Sequence, residues 1–409
     1  MRKLYLPLAF LALLAANSGC ARLSRDSAIP GALSYPLSYE ASRAAFREKL
    51  SAIQQLWPNA TVAQHSLSGE EGLTIDWIRA DATEHKERLL VLSAGEHGME
   101  AYVGTSVLQL FIHEYVPRLD PKTTGILLVH CINPWGMKHR RRTNRNNVDL
   151  NRNFVWTERE LDRSANPDNL RLNALLQPQG RVGGRVAATV GFVARLVGAR
   201  LRVGEARLRE ATLGGQYRLP QGLYYGGNSH QEETRILMAL FRRHFEAYPR
   251  ILHLDMHTGY GPSHPMLLVT SLAEPRCPAD LAQQFQPPGR VEVSGGDFYA
   301  IRGDMIDYVY RLVHTEFPSA HLFAATFEFG TLGEGTMALV RSLRAEIVEN
   351  NAYWFGTAGR RTRAWVDREF EALNAPPDLD WRAKAADDAR RAFRGILAAE
   401  GYLPSTREP

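Results

Sequence analysis

The stretch that decides the fold runs from Leu89 to Glu100 and reads LLVLSAGEHGME. Its first half is an unbroken apolar run, which predicts a buried strand over Arg88–Ser93. Its second half places His97 and Glu100 three residues apart, directly after that strand. An imidazole nitrogen and a carboxylate oxygen at this spacing can bind one divalent metal, and zinc accepts both kinds of ligand. The pair alone is a weak signal, since a surface histidine beside a helix-start glutamate gives the same pattern.

Further apolar strands alternate with helices on both sides of this stretch. Unbroken apolar strands separated by helices predict an α/β fold, with a mixed or parallel sheet covered on both faces. The nearest predicted elements are a helix from Glu100 to about Tyr115 and strands over Gly125–Cys131, Ile251–Asp255 and Leu322–Phe327.

The region from about Glu158 to Pro220 reads as a long insertion. Within it, Val186–Val203 is apolar but interrupted by arginines, and two interpretations stay open. We favour a core-packed helix with an arginine face over a helix that lies on a membrane surface. From Gly359 onward the chain is rich in Arg, Ala and Glu, which predicts peripheral helices.

Composition places the chain among soluble globular proteins. Of 409 residues, 44% are hydrophobic and 23% charged, which is enough to bury a large core. The 49 Lys and Arg against 44 Asp and Glu give a net charge of +5. This excess is mild, so we expect no nucleic-acid partner.

The N-terminus has the pattern of a targeting segment. A basic start precedes the apolar run Leu4–Ala16, which is too short to span a bilayer. The small residues before Cys20 resemble a bacterial lipoprotein signal, in which Cys20 is lipidated. Asn17 stands where an aliphatic residue is usual, so simple cleavage near this position is the alternative. We expect an exported cell-envelope protein anchored to a membrane by lipid, with residues 1–20 as signal and 21–38 as tether. Export permits a disulfide, but two free thiols are favoured at Cys131 and Cys277.

A third metal ligand is predicted where another strand ends. His257 follows an apolar run within LHLDMHTG, residues 252–259, and a glycine-containing loop begins there. Ligands at the carboxyl ends of adjacent strands converge on one point in an open α/β sheet. Asp255 is a candidate acceptor that would fix the His257 imidazole, as metal-bound histidines usually require. His253 is a rival ligand, although a core position is favoured for it because His257 sits at the strand exit.

Two further features offer charged groups for chemistry. Residues 140–154, RRRTNRNNVDLNRNF, form a candidate anion clamp, because guanidinium groups bind carboxylates bidentately and stabilise oxyanions. A solvated basic face is the alternative, although Val-Asp-Leu-Asn-Arg-Asn-Phe, residues 148–154, is not a typical surface sequence. Glu328 ends an apolar strand amid phenylalanines, so poor solvation should raise its pKa and suit proton transfer near neutral pH. An edge-strand glutamate that points to water would have a similar sequence.

In order and spacing, these motifs resemble the zinc carboxypeptidase family. The resemblance covers roughly Leu89–Phe355 and looks closest to a poorly characterised bacterial branch. It implies an α/β fold with a central mixed, mostly parallel eight-stranded sheet flanked by helices. A catalytic domain over 39–355 and a helical C-terminal extension over 356–409 follow from it. The motifs that carry it are His97-Gly98-Met99-Glu100, Arg142 with Asn144, Asp149-Leu150-Asn151-Arg152-Asn153-Phe154, His257 and Glu328.

The resemblance implies a metal site and a base. His97, Glu100 and His257 would bind one Zn²⁺ per chain, with water as the fourth ligand. Glu328 would take a proton from that water and later give it to the leaving amine. A zinc ion would lower the pKa of the water and polarise the scissile carbonyl.

The resemblance also implies substrate contacts. Asn151 and Arg152 would bind the terminal carboxylate of the substrate. An arginine would stabilise the tetrahedral oxyanion, and Arg142 and Arg145 compete for that role. We rank Arg142 first because it fits the Arg-x-Asn spacing ahead of Asp149.

Two more positions can be transferred from the family pattern. Tyr299 would hydrogen-bond the substrate from a loop, and a packed tyrosine is an equal alternative. Ile306 would lie at the base of the specificity pocket and favour an apolar or neutral side chain. The charged residues Arg302 and Asp304 depart from the small residues usual there.

The leading functional hypothesis is zinc-dependent hydrolysis of a peptide bond next to a free carboxylate. One alternative is a zinc amidohydrolase that acts on acylated amino acids or on cell-wall peptides. Such deacylases usually carry a β-rich C-terminal domain, whereas the tail of this chain is predicted to be helical. A non-catalytic surface lipoprotein that binds peptides is the alternative from another class.

Overall fold

The computed structural model describes residues 30–294 and 301–403. An eight-stranded sheet with the strand order β1-β2-β4-β3-β5-β8-β6-β7 forms its centre. The strands are β1 (Thr61–Ser66), β2 (Thr74–Ala80), β3 (Arg88–Ala94), β4 (Thr124–Val129), β5 (Arg250–Gly259), β6 (Met266–Thr270), β7 (Val291–Val293) and β8 (His321–Gly330).

Helices cover the sheet. Before the insertion they are α1 (Tyr39–Arg47), α2 (Leu50–Gln54), α3 (Ala101–Glu114) and α4 (Pro134–His139). The insertion contributes α5 (Pro167–Arg171), α6 (Asn173–Leu176), α7 (Arg185–Val203) and α8 (Glu205–Leu213). The remaining helices are α9 (Glu232–Phe245), α10 (Pro278–Phe285), α11 (Met305–Glu316), α12 (Thr336–Phe355), α13 (Arg360–Asn374) and α14 (Leu379–Ala399). Short 3₁₀ turns occur at Val116–Arg118, Leu150–Arg152 and Glu158–Glu160.

The four central strands, β4, β3, β5 and β8, are parallel to one another. The pairs β1–β2, β2–β4 and β6–β8 are antiparallel, so the sheet is mixed. The predicted α/β class with a mixed, mostly parallel sheet is therefore confirmed. Because the central strands run in one direction, the segments after β3, β5 and β8 leave the sheet at the same edge.

The C-terminal helices are part of the main core, which corrects the prediction that they are peripheral. Phe370 of α13 and Trp381 and Phe393 of α14 are buried in the same apolar cluster as the central strands. The described part of the predicted tether also packs against α14, where the Leu33 amide donates to the Arg382 carbonyl at 3.3 Å. Domain boundaries at 38 and 355 therefore do not separate packing units within the described residues.

The two cysteines of the described chain are free thiols, as favoured from the sequence. Cys131 is buried, whereas Cys277 is exposed. No helix within residues 30–294 and 301–403 is both long enough and apolar enough to span a membrane. Cys20 and the predicted signal lie outside the described residues, so lipidation stays a prediction.

Candidate metal centre and active-site cleft

The loop after β3 is held in place by close backbone contacts. Gly95 has a positive φ of 74°, and a Cβ on Gly98 would lie 2.0 Å from the backbone of Gly136 at the start of α4. The amide of Gly98 donates to the carbonyl of Arg142 at 3.0 Å. This packing turns His97 into the interior, where the side chain is buried.

Three predicted ligands meet at the sheet edge. Glu100, the residue before α3, is 1% exposed, and its Oε1 lies 2.9 Å from Nδ1 of His97. Its Oε2 lies 3.3 Å from Nδ1 of His257 and accepts a hydrogen bond from the Thr258 amide at 2.9 Å. Both imidazoles thus present Nδ1 to one carboxylate, so a cation placed among them would have two nitrogen ligands and one oxygen ligand.

The outer nitrogens of both imidazoles face other carboxylates. Nε2 of His97 lies 3.0 Å from Asp149 Oδ1, and Nε2 of His257 lies 2.6 Å from Asp255 Oδ2. Asp255 also accepts from the Ser93 hydroxyl at 2.6 Å. When Nε2 donates its proton to each aspartate, Nδ1 is the lone-pair nitrogen, which is the usual orientation of metal-bound histidines. At His97 the Arg142 guanidinium also lies 2.9 Å from Nε2.

Glu96 is a further buried carboxylate, which the sequence analysis left without a role. Its Oε2 is 3.2 Å from His257 Nε2, on the side that Asp255 also occupies. Ligand atoms of Glu96, His97 and His257 lie within 4.8 Å of one another, so Glu96 is a rival for Glu100. Glu100, the predicted ligand, faces the Nδ1 atoms of both histidines, whereas Glu96 faces Nε2 of His257. Burial raises the pKa of Glu96 to about 7.

The donor set fits a divalent metal such as zinc. His97 Nδ1 is buried, and its 2.9 Å contact with Glu100 Oε1 lacks hydrogen-bond geometry, so the atom has no hydrogen-bond partner among the described residues. Burial alone would lower the pKa of His257, but Asp255, Glu100 and Glu96 raise it well above its usual value. The carboxylates on both sides of this imidazole thus favour positive charge on the ring. Two imidazole nitrogens and one carboxylate leave a fourth position open, as catalytic zinc sites do.

Glu328 lies beside the ligands at the end of β8. It is directly opposite His257 in the parallel pairing of β5 and β8, and it is 8% exposed. Its Oε1 accepts a hydrogen bond from the Tyr260 amide at 2.9 Å. Burial is the main cause that raises the pKa of Glu328 to about 7, and the charge of Glu100 adds to it. A carboxyl group with this pKa can both take and return a proton near neutral pH.

Arg142 reaches the metal ligands, whereas Arg145 does not. The Arg142 guanidinium donates to Glu100 Oε1 at 2.9 Å and to Asp149 Oδ2 at 3.2 Å. Arg145 points outward and donates to the backbone carbonyl of Ser68. The predicted substrate contact of Arg145 therefore lacks support. The chain turns back directly after Arg145, where Asn147 has a positive φ of 58° and its amide donates to the Asn144 carbonyl at 2.9 Å.

Asn151 and Arg152 both line the cleft, as predicted for a carboxylate clamp. Asn151 Oδ1 accepts a hydrogen bond from the Met305 amide at 3.0 Å. Arg152 is 1% exposed and donates to the carbonyls of Asn151 and Leu213, both at 2.9 Å. The Tyr224 ring lies 5.6 Å from the guanidinium carbons of both Arg142 and Arg152, and the sequence analysis did not assign it.

The structure bears on the remaining predicted residues in different ways. Ile306 is buried in the main core at the start of α11 and is not among the described residues that line the cleft. Ile301 lines the cleft instead. Tyr299 lies outside the described residues. His253 is buried with Nε2 at 2.8 Å from the Ser93 hydroxyl, which is the core position favoured for it.

Glu346 is a second cleft residue that the sequence analysis missed. It lies on α12, is 6% exposed and lines the same cavity as the ligands. Burial raises its pKa to about 7, and Arg142 opposes this rise. No local motif marks Glu346, because it stands in the middle of a long helix whose cleft-facing side depends on tertiary packing.

The comparisons with known proteins concern both sequence and structure. A family model described as a protein of unknown function, DUF2817, matches residues 35–388. The chain belongs to the DUF2817 family. A search of curated proteins finds no match to this DUF2817 chain.

Carboxypeptidase A from Helicoverpa armigera is similar to the DUF2817 chain in structure. The TM-score is 0.51 at 17% identity, and the match covers 98% of this chain and 79% of the insect enzyme. This match confirms the predicted resemblance at the level of the fold.

Two other solved structures are less similar, with TM-scores below 0.5. A putative metallopeptidase from Shewanella denitrificans matches with a TM-score of 0.36 and 14% identity, over 78% of this chain and 90% of that one. An aspartoacylase family protein from Mesorhizobium loti matches with 0.34 and 13%, over 74% and 69%.

Proposed function

We propose that this protein is a zinc-dependent hydrolase that cleaves an amide bond next to a free carboxylate, as a carboxypeptidase does. The convergence of His97, Glu100 and His257 beside the buried Glu328 carries the proposal. A zinc ion at the three ligands would supply a water that is acidic enough to react near neutral pH, and would polarise the scissile carbonyl.

The residues of the chain account for the remaining steps. Glu328 accepts a proton as the water oxygen bonds to the carbonyl carbon, and it returns that proton to the amine when the C–N bond breaks. Arg142 faces the charge that develops on the carbonyl oxygen. Asn151 and Arg152 bind the free carboxylate and fix the scissile bond in the cleft.

A deacylase that acts on N-acyl amino acids is the second candidate. It would use the same ligands and the same base. The helical C-terminal region, α13 and α14, favours the peptidase, because the β-rich C-terminal domain usual in such deacylases is absent from the described residues.

A paired substrate screen tests the proposal. Peptides with free C-termini, the same peptides with amidated C-termini, and N-acyl amino acids are incubated with the zinc-loaded protein, and the released amines are quantified. We expect release only from substrates with a free carboxylate. Equal cleavage of the amidated peptides would contradict a role for Asn151 and Arg152 in carboxylate binding.

A further inference from the structure

The cleft extends from the ligands into an apolar chamber between three helices. One wall is the side of α12 that carries Leu339, Val340 and Leu343, and the insertion supplies Leu196 of α7 and Leu208 of α8. The whole cavity has a volume of about 480 Å³. Small-molecule sites typically measure about 300–1,000 Å³. The insertion therefore forms part of the candidate site.

The chamber runs along α12, from a buried end near the candidate ligands to an exposed end. Glu346, at its inner end, is buried and interacts electrostatically with Arg142 and the metal ligands. Leu339, at its outer end, is 49% exposed. At 1.5 Å per residue, the positions of Glu346 and Thr336 differ by about 15 Å along the helix axis. The residues of α12 that line the cavity are Thr336, Leu339, Val340, Ser342, Leu343 and Glu346.

Between the two ends, the residues of α12 that line the cavity are uncharged. Glu205 and Arg209 of α8 line the cavity but are exposed, whereas Leu208 between them is buried. From Leu339 to Leu343 the lining of α12 has a single polar member, the hydroxyl of Ser342. Burial of an aliphatic chain against such a surface is favourable. A polar chain would find few hydrogen-bond partners there.

We propose that the substrate carries an extended aliphatic chain on the carbonyl side of the scissile amide, and that this chain occupies the chamber. The inference rests on the proposed function. If the free carboxylate lies at Asn151 and Arg152, beside the Leu213 carbonyl at the end of α8, the acyl side must leave the candidate ligands along α12, on which Glu346 lines the same cavity. The side of α12 that carries Leu339, Val340 and Leu343 suits an aliphatic chain, whether it belongs to an N-acyl amino acid or to the apolar end of a lipopeptide.

A chain-length series tests the inference. We compare kcat/KM for N-acetyl, N-octanoyl and N-dodecanoyl forms of the same amino acids, with leucine-rich peptides and acylated peptides as separate arms. Each methylene that enters the chamber is expected to raise kcat/KM by up to about threefold to fourfold. The rise should stop once the chain exceeds about 15 Å, the helix length that lines the chamber. Hydrolysis without any dependence on chain length overturns the inference.

Variants locate the chain in the cleft. Leu343→Phe fills the chamber and should lower the ratio of dodecanoyl to acetyl turnover at least tenfold. Leu201→Phe is the matched control, since Leu201 lies on α7 but is 84% exposed, and it should leave both turnover and ratio unchanged. An unchanged ratio in a folded Leu343→Phe variant contradicts the assignment of the chamber. If that variant does not fold, Leu339→Arg at the exposed mouth serves the same comparison.

A binding measurement separates this inference from the proposed function. Calorimetry with Glu328→Gln reports the affinity for the same acyl compounds without turnover. Affinity that rises with chain length, together with an inert wild-type protein, would overturn the hydrolase and leave the chamber assignment intact. If the wild-type protein turns over these compounds but neither affinity nor rate depends on chain length, the hydrolase proposal stands and the chamber assignment is overturned.

Discussion

His257 and Glu328 lie directly opposite each other in the parallel pairing of β5 and β8. Because side chains of paired residues project to the same face of a sheet, this register brings an imidazole and a carboxylate together at the sheet edge. One belongs to the candidate ligand set and the other is the candidate base. Their relative position is therefore fixed by the backbone hydrogen bonds of the sheet and does not depend on a mobile loop.

The Glu328→Gln variant should keep its metal and lose hydrolysis by several orders of magnitude. The amide is nearly isosteric and can still accept the Tyr260 amide hydrogen bond, but it cannot take a proton. Metal content by elemental analysis and turnover of a cleaved peptide are measured on the same preparation. Turnover within a few-fold of the wild type would remove Glu328 as the base.

The pH profile should have an acidic limb that belongs to Glu328. Burial raises the pKa of this carboxyl from 4.5 to about 7, and a bound cation would draw it back toward the ordinary value. The base acts only when ionised, so kcat/KM should rise with pH, with a midpoint between 4.5 and 7.

The pKa of Glu346 is raised to about 7 as well, so this neighbour needs a control. The acidic limb should persist in Glu346→Gln. Loss of the limb in that variant would assign it to Glu346, and a flat profile down to pH 4 in the wild type would exclude a carboxyl base with a raised pKa.

Arg142→Gln should lower kcat by about 100-fold to 1,000-fold, the usual cost of removing one oxyanion donor. Arg145→Gln is the matched control, since Arg145 binds the Ser68 carbonyl away from the cleft. Its kcat should stay within about twofold of the wild type, as for surface substitutions remote from a site. Equal losses in the two variants would contradict the assignment of Arg142.

Asp149→Asn and Asp255→Asn should each weaken zinc affinity about 10-fold to 100-fold, since they orient the two imidazoles. Competition with a chromophoric chelator measures this affinity directly. Asp388→Asn is the control, because Asp388 is buried on α14, away from the ligands, where it accepts from the Met266 amide. An unchanged affinity in both aspartate variants would show that the outer nitrogens are not oriented in this way.

The local sequence was sufficient to predict the site residues that stand at the ends of apolar strands. His97, His257 and Glu328 each follow a hydrophobic run, and parallel strands bring such positions to one edge. The short strands β6 and β7, at one end of the strand order, were not predicted; they pair with β8 and with each other.

Other features depend on tertiary packing that no motif records. The directions of Arg142, toward Glu100 and Asp149, and of Arg145, toward the Ser68 carbonyl, follow from partners that are distant in sequence. Glu346 and the chamber follow from the side of α12 that faces the insertion. The burial of Glu96 follows from the loop packing at Gly98.

Metal binding by the wild-type protein and by His257→Ala tests the central claim most directly. Protein purified without chelators is analysed for zinc, and both proteins are then titrated with zinc after metal removal. The account predicts about one zinc per wild-type chain and an affinity at least 100-fold weaker in the variant, which loses one of three protein ligands. A wild-type protein that binds no zinc, or a variant that binds it equally well, would contradict the assignment of His97, Glu100 and His257 as the metal site.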